Sequence, residues 1–479
     1  MKRIDSKLLD ECKNGDFEKV TKLLKPSFFS KAANCNIKND YGNTPLMISI
    51  LKGHNKISKF LVSKNAFVNE KNKDNYSALM LACESGNKEM VEFLLENGAD
   101  INDKTKEGKT TLMIALNMGK FEIAETLIKY KANINDSDNS GFTPLMYACG
   151  DGKLDSVDFL LKKKVNINKV NKVGNTALII ACEKENEKIA EHLINAGAKF
   201  LTENKNGWDA FLLSCSKGLK NIIELLIEKG INVNNISNNK YGITPLMTAC
   251  SNGHFIIVET LIKNGAKLNE QDKNGTTALM YACSKGHKDI VEFLINIKAD
   301  LNITKNDSDE NALLLAYESN RIEIIELLIK NGSNVNNIYS KYKKPLLAHA
   351  FEWGDHEVIS ILLRYNATTY NELLDNEILR GQTEYNKMKE IYNQQIIDAG
   401  SNYNDLYNLL KELIISTESK GSLPKFQQYV EYSFIRQIGK QLDESGGLKL
   451  MQKVYYDIVK QSKIYFSQDW WNGIGQWRS

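Results

Sequence analysis

Two short apolar patterns alternate along most of this chain. The first is a compact run opened by a hydroxyl residue and often proline, as in Thr143-Pro144-Leu145-Met146-Tyr147-Ala148-Cys149 and Thr244-Pro245-Leu246-Met247-Thr248-Ala249-Cys250. Threonine offers an oxygen to the orphan amides of a helix's first turn, and proline fits the first helical position, where no donor is needed. Each run therefore predicts a short buried helix, with small residues such as Ala148 and Cys149 allowing close approach of neighbours. Looser copies stand at Ala78 to Cys83, Thr111 to Leu116, Ala177 to Cys182 and Ala278 to Cys283. The second pattern follows a glycine turn such as Gly150-Asp151-Gly152, which ends the first helix. Leu154, Val157, Leu160 and Leu161 recur there at three- and four-residue spacing, which predicts an amphipathic helix with one buried stripe. A polar hairpin closes the unit after Val165-Asn166-Ile167-Asn168.

These units are periodic. Leu46, Leu79, Leu112, Leu145, Leu178 and Phe211 lie 33 residues apart, and the series continues through Leu246, Leu279, Leu313 and Leu346 with small insertions before Lys240 and Asp309. Ten repeats are expected over 40–369. A divergent N-terminal cap and link is expected over 1–39, carried by Leu8, Cys12, Gly15, Val20, Leu23 and Leu24. A pair of short helices cannot bury both its faces alone, so each unit must lean on its neighbours, and an all-α solenoid follows.

The period, the Thr-Pro-Leu starts, the pairs Gly53-His54, Gly253-His254 and Gly286-His287, and endings such as Gly98-Ala99-Asp100-Ile101-Asn102 resemble the ankyrin repeat. The resemblance implies helix-turn-helix units joined by β-hairpin loops, and partner binding through the hairpin tips and the inner helix face. One departure is systematic. Where the family usually carries His after Thr-Pro-Leu, this chain has Met47, Met80, Met113, Met146, Met247 and Met280. The polar contacts of that His are expected to be absent, with adaptable thioether packing in their place.

After Thr368 the period is lost. Residues 370–479 keep helical stripes and end in a tail containing Trp470, Trp471 and Trp477, so a small helical C-terminal domain is expected. Phe351 and Trp353 in the last unit suggest that the end of the stack needs covering.

Charge adds little. With 62 basic and 59 acidic residues interleaved in 479, a net charge of +3 gives no field that would draw the chain to nucleic acid. No run approaches the roughly 18 apolar residues needed to cross a bilayer, and the N-terminus lacks a signal-peptide core. An intracellular, cytoplasmic monomer without membrane insertion is the expectation.

Seven of the eight cysteines, Cys12, Cys83, Cys149, Cys182, Cys215, Cys250 and Cys283, fall four residues past the repeat leucine or its equivalent, a small-residue packing slot. No cysteine or histidine has metal-ligand spacing, and no nucleophile elbow or phosphate-binding loop is present. Catalytic, cofactor and metal residues are accordingly expected to be none. Three residues before the repeat leucine, however, stand Tyr76, Phe142, Trp208 and Ile243, at the base of the hairpin finger. Large apolar side chains there are candidates for partner binding, with Trp208 foremost and Tyr41 and Tyr241 beside the turn glycine as weaker members. Tyr147 and Tyr281 are expected to pack between helices.

An extended stack exposes a long ribbed groove and encloses no pocket for chemistry. The chain therefore reads as a non-enzymatic protein-interaction scaffold or adaptor. The alternative is a targeting subunit whose repeats deliver an effector or ligase-recruiting module in 370–479.

Overall fold

The computed structural model describes residues 3–25, 32–236, 241–353, 355–365 and 367. The expected C-terminal region, with Trp470, Trp471 and Trp477, lies outside them. The chain divides into two compact units, Met1–Ala299 and Asp300–Ser479.

In the first unit the helices come in pairs. The N-terminal pair is α1 (Arg3–Asn14) and α2 (Phe17–Leu24), followed by α3 (Pro45–Leu51) with α4 (Asn55–Ser63), and α5 (Ala78–Glu84) with α6 (Lys88–Glu96). Next come α7 (Thr111–Asn117) with α8 (Phe121–Lys129), α9 (Pro144–Gly150) with α10 (Leu154–Lys162), and α11 (Ala177–Glu183) with α12 (Glu187–Asn195). The last are α13 (Ala210–Lys217) with α14 (Lys220–Glu228), α15 (Pro245–Asn252) with α16 (Phe255–Lys263), and α17 (Ala278–Lys285) with α18 (Lys288–Asn296). The odd-numbered helices pack on one another in sequence, as do the even-numbered ones, so the unit is a stack in two layers.

The repeat leucines from Leu46 to Leu279, and Phe211 among them, are at most 2 % exposed. Each such burial stabilises by about 1.5–3 kcal/mol, which is why one residue per period is enough to set the register. The seven slot cysteines are all buried and free, and burial pushes their thiols up, Cys12 and Cys182 to about 12. They pack as small apolar groups with no thiolate at neutral pH.

The helix caps correct one expectation. Thr143 Oγ1 accepts the amide of Met146 at 3.3 Å, and the amide of Thr143 in turn donates to Met146 Sδ at 3.5 Å. The same reciprocal pair forms at Thr44 with Met47, Thr110 with Met113, Thr244 with Met247 and Thr277 with Met280. The methionine sulfur therefore does not merely fill space. It stands where a capping-box glutamate or glutamine oxygen would, as a weak acceptor for a buried amide.

Units are tied to one another through main-chain carbonyls. His254 Nε2 lies 2.8 Å from Ser216 O, His287 Nε2 3.2 Å from Ser251 O and His54 Nε2 3.3 Å from Lys13 O. A carbonyl only accepts, so Nε2 carries the hydrogen in each ring. Asn186 Nδ2 makes the equivalent bond to Cys149 O at 2.8 Å. The imidazole of His287 lies against Gly253, where φ is +77° and a Cβ would come within 2.5 Å of the ring. Only glycine satisfies both the left-handed turn and that approach.

The fingers between pairs are tight turns. Among the described residues of unit one their pairing is limited to the isolated bridges Lys71 with Ser77 and Lys104 with Thr110. Neighbouring fingers are linked by single backbone bonds, among them Lys73 N to Tyr41 O at 3.0 Å, Lys172 N to Ser140 O at 3.0 Å and Lys273 N to Tyr241 O at 2.8 Å.

The second unit contains α19 (Ala312–Glu318), α20 (Ile322–Lys330), β1 (Ile338–Tyr339), β2 (Lys344–Pro345), α21 (Leu346–Trp353) and α22 (His356–Arg364). β1 and β2 pair antiparallel, Ile338 opposite Pro345 and Tyr339 opposite Lys344. Tyr339 is buried, and its phenol donates to Oδ1 of Asn311, the cap of α19, at 3.2 Å. Trp353 at the end of α21 is 73 % exposed.

Candidate partner-binding face

The finger-base side chains are held by their own backbone. The amide of Tyr76 donates to Asn72 Oδ1 at 2.9 Å, that of Phe142 to Asp138 Oδ1 at 2.7 Å and that of Trp208 to Asn204 Oδ1 at 3.0 Å. The same carboxamide or carboxylate oxygen accepts a second amide two residues on, as Asn72 does from Asp74 at 3.0 Å, so each finger is closed by an Asx turn. Gly141 in such a turn has φ +83°, and a Cβ would come within 2.8 Å of the amide nitrogen of Lys172 in the next finger. Finger spacing and the direction of the base side chain are thus fixed together.

Tyr76, Phe142, Trp208 and Ile243 are all half-buried. Phe142 packs on Tyr147 with ring centroids 5.5 Å apart and planes inclined at 46°. Lys109 holds the finger-base place one unit earlier, and its Nζ lies 5.2 Å from the centroid of the Tyr147 ring. Tyr76, Lys109, Met113, Ile114, Met118 and Tyr147 line one depression of about 170 Å³ along the inner helices α5, α7 and α9, together with Glu84 and Asp151. Burial raises the Tyr76 phenol above its ordinary value, with Glu84, Glu107 and Asp74 adding to the effect. The depression is lined by apolar and aromatic side chains together with charges of both signs, the character of a protein contact.

Of the six residues singled out in the sequence, Tyr76 alone lines this depression, and Phe142 adjoins it through Tyr147. Trp208 lies elsewhere on the row, next to Asp209, the cap of α13. Ile243 precedes the Thr244 cap of α15. Tyr41 and Tyr241 sit at finger tips, 75 % and 49 % exposed.

Tyr147 and Tyr281 do more than pack. Tyr147 OH donates to Asp138 Oδ2 at 2.7 Å and Tyr281 OH to Asp272 Oδ2 at 2.8 Å, fixing a finger to its inner helix. Burial, and then the bonded carboxylate, push both phenols well above their ordinary value. Sequence reasoning passed over Lys109, and it placed the two tyrosines between helices without their carboxylate partners, whose signal was present in the chain as an Asp nine residues before each tyrosine.

Among the described residues no helix is long and apolar enough to cross a membrane, and no cluster of His, Cys, Asp and Glu is arranged to hold a metal ion. The family profile described as ankyrin repeats (3 copies) matches residues 8–105, 102–171, 152–237 and 233–305, more than half of the chain. A search of curated proteins finds no match.

Proposed function

The chain belongs to the ankyrin-repeat family, whose repeats are in general protein-binding modules, and from that premise we propose that it is a non-enzymatic scaffold or adaptor. A partner protein would lie along the groove formed by finger bases and inner helices of the repeats in the first unit. The observation that supports this most is the row of half-buried apolar side chains, Tyr76, Phe142, Trp208 and Ile243, presented at a constant place in the unit. Three of them have their amides locked by Asx turns. Such a surface is ordered before its partner arrives, so little conformational freedom is lost on binding. Aromatic anchors in this setting contribute most of the energy of an interface. Tyr41 and Tyr241 at the finger tips extend the contact. The partner is one or more proteins, with no nucleic acid, bound by a monomer in the cytoplasm, where the eight thiols stay reduced.

The test is affinity capture from cell lysate with the full chain and with the double variant Phe142→Ala, Trp208→Ala. A loss of captured partner of about tenfold or more, with the helical circular dichroism unchanged, is expected. Undiminished capture would remove the groove as the site. A chain ending at Thr368 distinguishes the alternative of a targeting subunit, since loss of every partner on truncation would move function to 370–479.

A further inference from the structure

In the second unit three separate segments meet at a depression of about 850 Å³ that the groove does not include. Its wall is a stack of rings. Tyr342 and His349 have centroids 3.7 Å apart with planes at 28°, and His349 and Trp353 continue the stack at 5.9 Å and 26°. Tyr317 closes it edge-on to His349, at 5.7 Å and 88°, with its phenol 3.1 Å from His349 Nδ1 and bonded to the carboxylate of Asp355. At the Tyr342 end the protein supplies its own cation. Lys341 Nζ lies 5.5 Å from the Tyr342 centroid and 2.6 Å from Glu318 Oε1, which also accepts the Tyr342 phenol at 2.6 Å.

The Trp353 end differs. Trp353 is the most exposed large side chain of the stack, at 73 %. Glu357 beside it is exposed and makes no ion pair among the described residues. Three carboxylates, Glu318, Asp355 and Glu357, face one ammonium, that of Lys341, around the depression, so its charge is negative. An aromatic face next to unbalanced carboxylates attracts a cation, and the parallel planes select its shape. A guanidinium is flat, stacks on aromatic faces and carries several N–H donors, whereas an ammonium is a compact, strongly hydrated point charge.

We infer that this shelf is a binding site for an arginine side chain of a partner polypeptide, its guanidinium laid over Trp353 and its N–H groups directed to Glu357 and Asp355. Arginine at one end then mirrors what Lys341 does at the other.

The probe is a fluorescein-labelled short peptide of alternating arginine and glycine, titrated against the full chain by anisotropy at near-physiological salt. Lysine and glutamate versions are run in parallel. The arginine peptide should bind about fivefold or more tightly than the lysine peptide, and the glutamate peptide not at all. Trp353→Ala should weaken the arginine peptide about fivefold, Glu357→Gln two- to fivefold or so, and Phe142→Ala not at all. Both substituted side chains are exposed, so circular dichroism should not change. Failure of the full chain to bind the arginine peptide overturns the inference. So does an affinity that survives both Trp353→Ala and Glu357→Gln, or a lysine peptide that binds equally well.

Discussion

The phenol of Tyr147 donates to Oδ2 of Asp138 at 2.7 Å while Oδ1 of the same carboxylate accepts the amides of Ser140 and Phe142 at 2.9 and 2.7 Å. One side chain thus closes the finger and fastens it to the helix that follows. Asp272 repeats the arrangement, with Tyr281 on Oδ2 and the amides of Asn274 and Thr276 on Oδ1. Where Asn39, Asn72, Asn171 and Asn204 hold the aspartate's place, the tyrosine's place is taken by Ile48, Leu81, Ile180 and Leu213. An asparagine closes the turn equally well, and at two of these places its amide bonds elsewhere. Asn72 Nδ2 donates to Asn43 Oδ1 at 3.0 Å and Asn204 Nδ2 to Asn175 Oδ1 at 2.8 Å, across to the preceding finger. Carboxylate goes with phenol, and the carboxamides of Asn72 and Asn204 with the preceding finger.

This pairing predicts energetic coupling. Tyr147→Phe should lower stability by about 1–2 kcal/mol, because a half-buried bond to a charged acceptor is lost. In an Asp138→Asn background the same change should cost less, with a coupling of about 0.5–2 kcal/mol. Urea unfolding of the four chains of the cycle measures it. Equal costs in both backgrounds would show that the two residues act separately.

The methionine caps predict a cost that volume alone does not give. Met146→Leu keeps an apolar side chain of similar size, a swap that cores usually tolerate. Here it also strips the buried Thr143 amide of its sulfur acceptor, so a loss of about 0.5–1.5 kcal/mol is expected. Met80→Leu, in a unit where the Ser77 hydroxyl bond stands alone, should cost less. Unfolding midpoints that fall equally for the two variants would assign the effect to packing.

Asp209 predicts a dependence on pH. It caps α13 from a buried position, its side chain accepting the amide of Leu212 at 2.8 Å. Burial pushes its carboxyl up to about 6, against the downward pull of that bond. The unfolded chain has an ordinary carboxyl near 3.9. Between those values the native state holds more proton than the unfolded one, so stability falls as pH rises through the window, and the full penalty applies above about 6. Asp209→Asn keeps an acceptor for the cap without the charge. It should raise stability by about 1–3 kcal/mol at neutral pH, and the gain should vanish near pH 4. A gain that is the same at both pH values would rule out ionisation as its cause.

The helix pairs were legible in the sequence because their determinants are local. A hydroxyl cap, a proline at the first helical position and a leucine every 33 residues each act within a few residues of themselves. The finger-base aromatics were legible for the same reason, since their place in the unit is fixed. The Asp138 to Tyr147 bond was missed because it joins two parts of the period that look unrelated until the units are superposed. The ring stack of the second unit could not be read at all. Tyr317, Tyr342 and His349 with Trp353 come from α19, the turn after β1 and α21, and no spacing in the chain relates them. Met146 posed a subtler problem. Its sulfur was weighed as bulk, and only the 3.5 Å approach to the Thr143 amide shows its polar part.

The bonds between successive units have a consequence for how such a chain can change. His54, Asn186, His254 and His287 all address main-chain carbonyls of the preceding unit, which every residue possesses. The receiving side chain is therefore released from any duty at the junction. At Lys13, Cys149, Ser216 and Ser251 four acceptors of three chemical types serve equally. A unit copied in tandem meets a compatible neighbour at once, without a matching substitution on the other side, and its outward side chains are free to diverge.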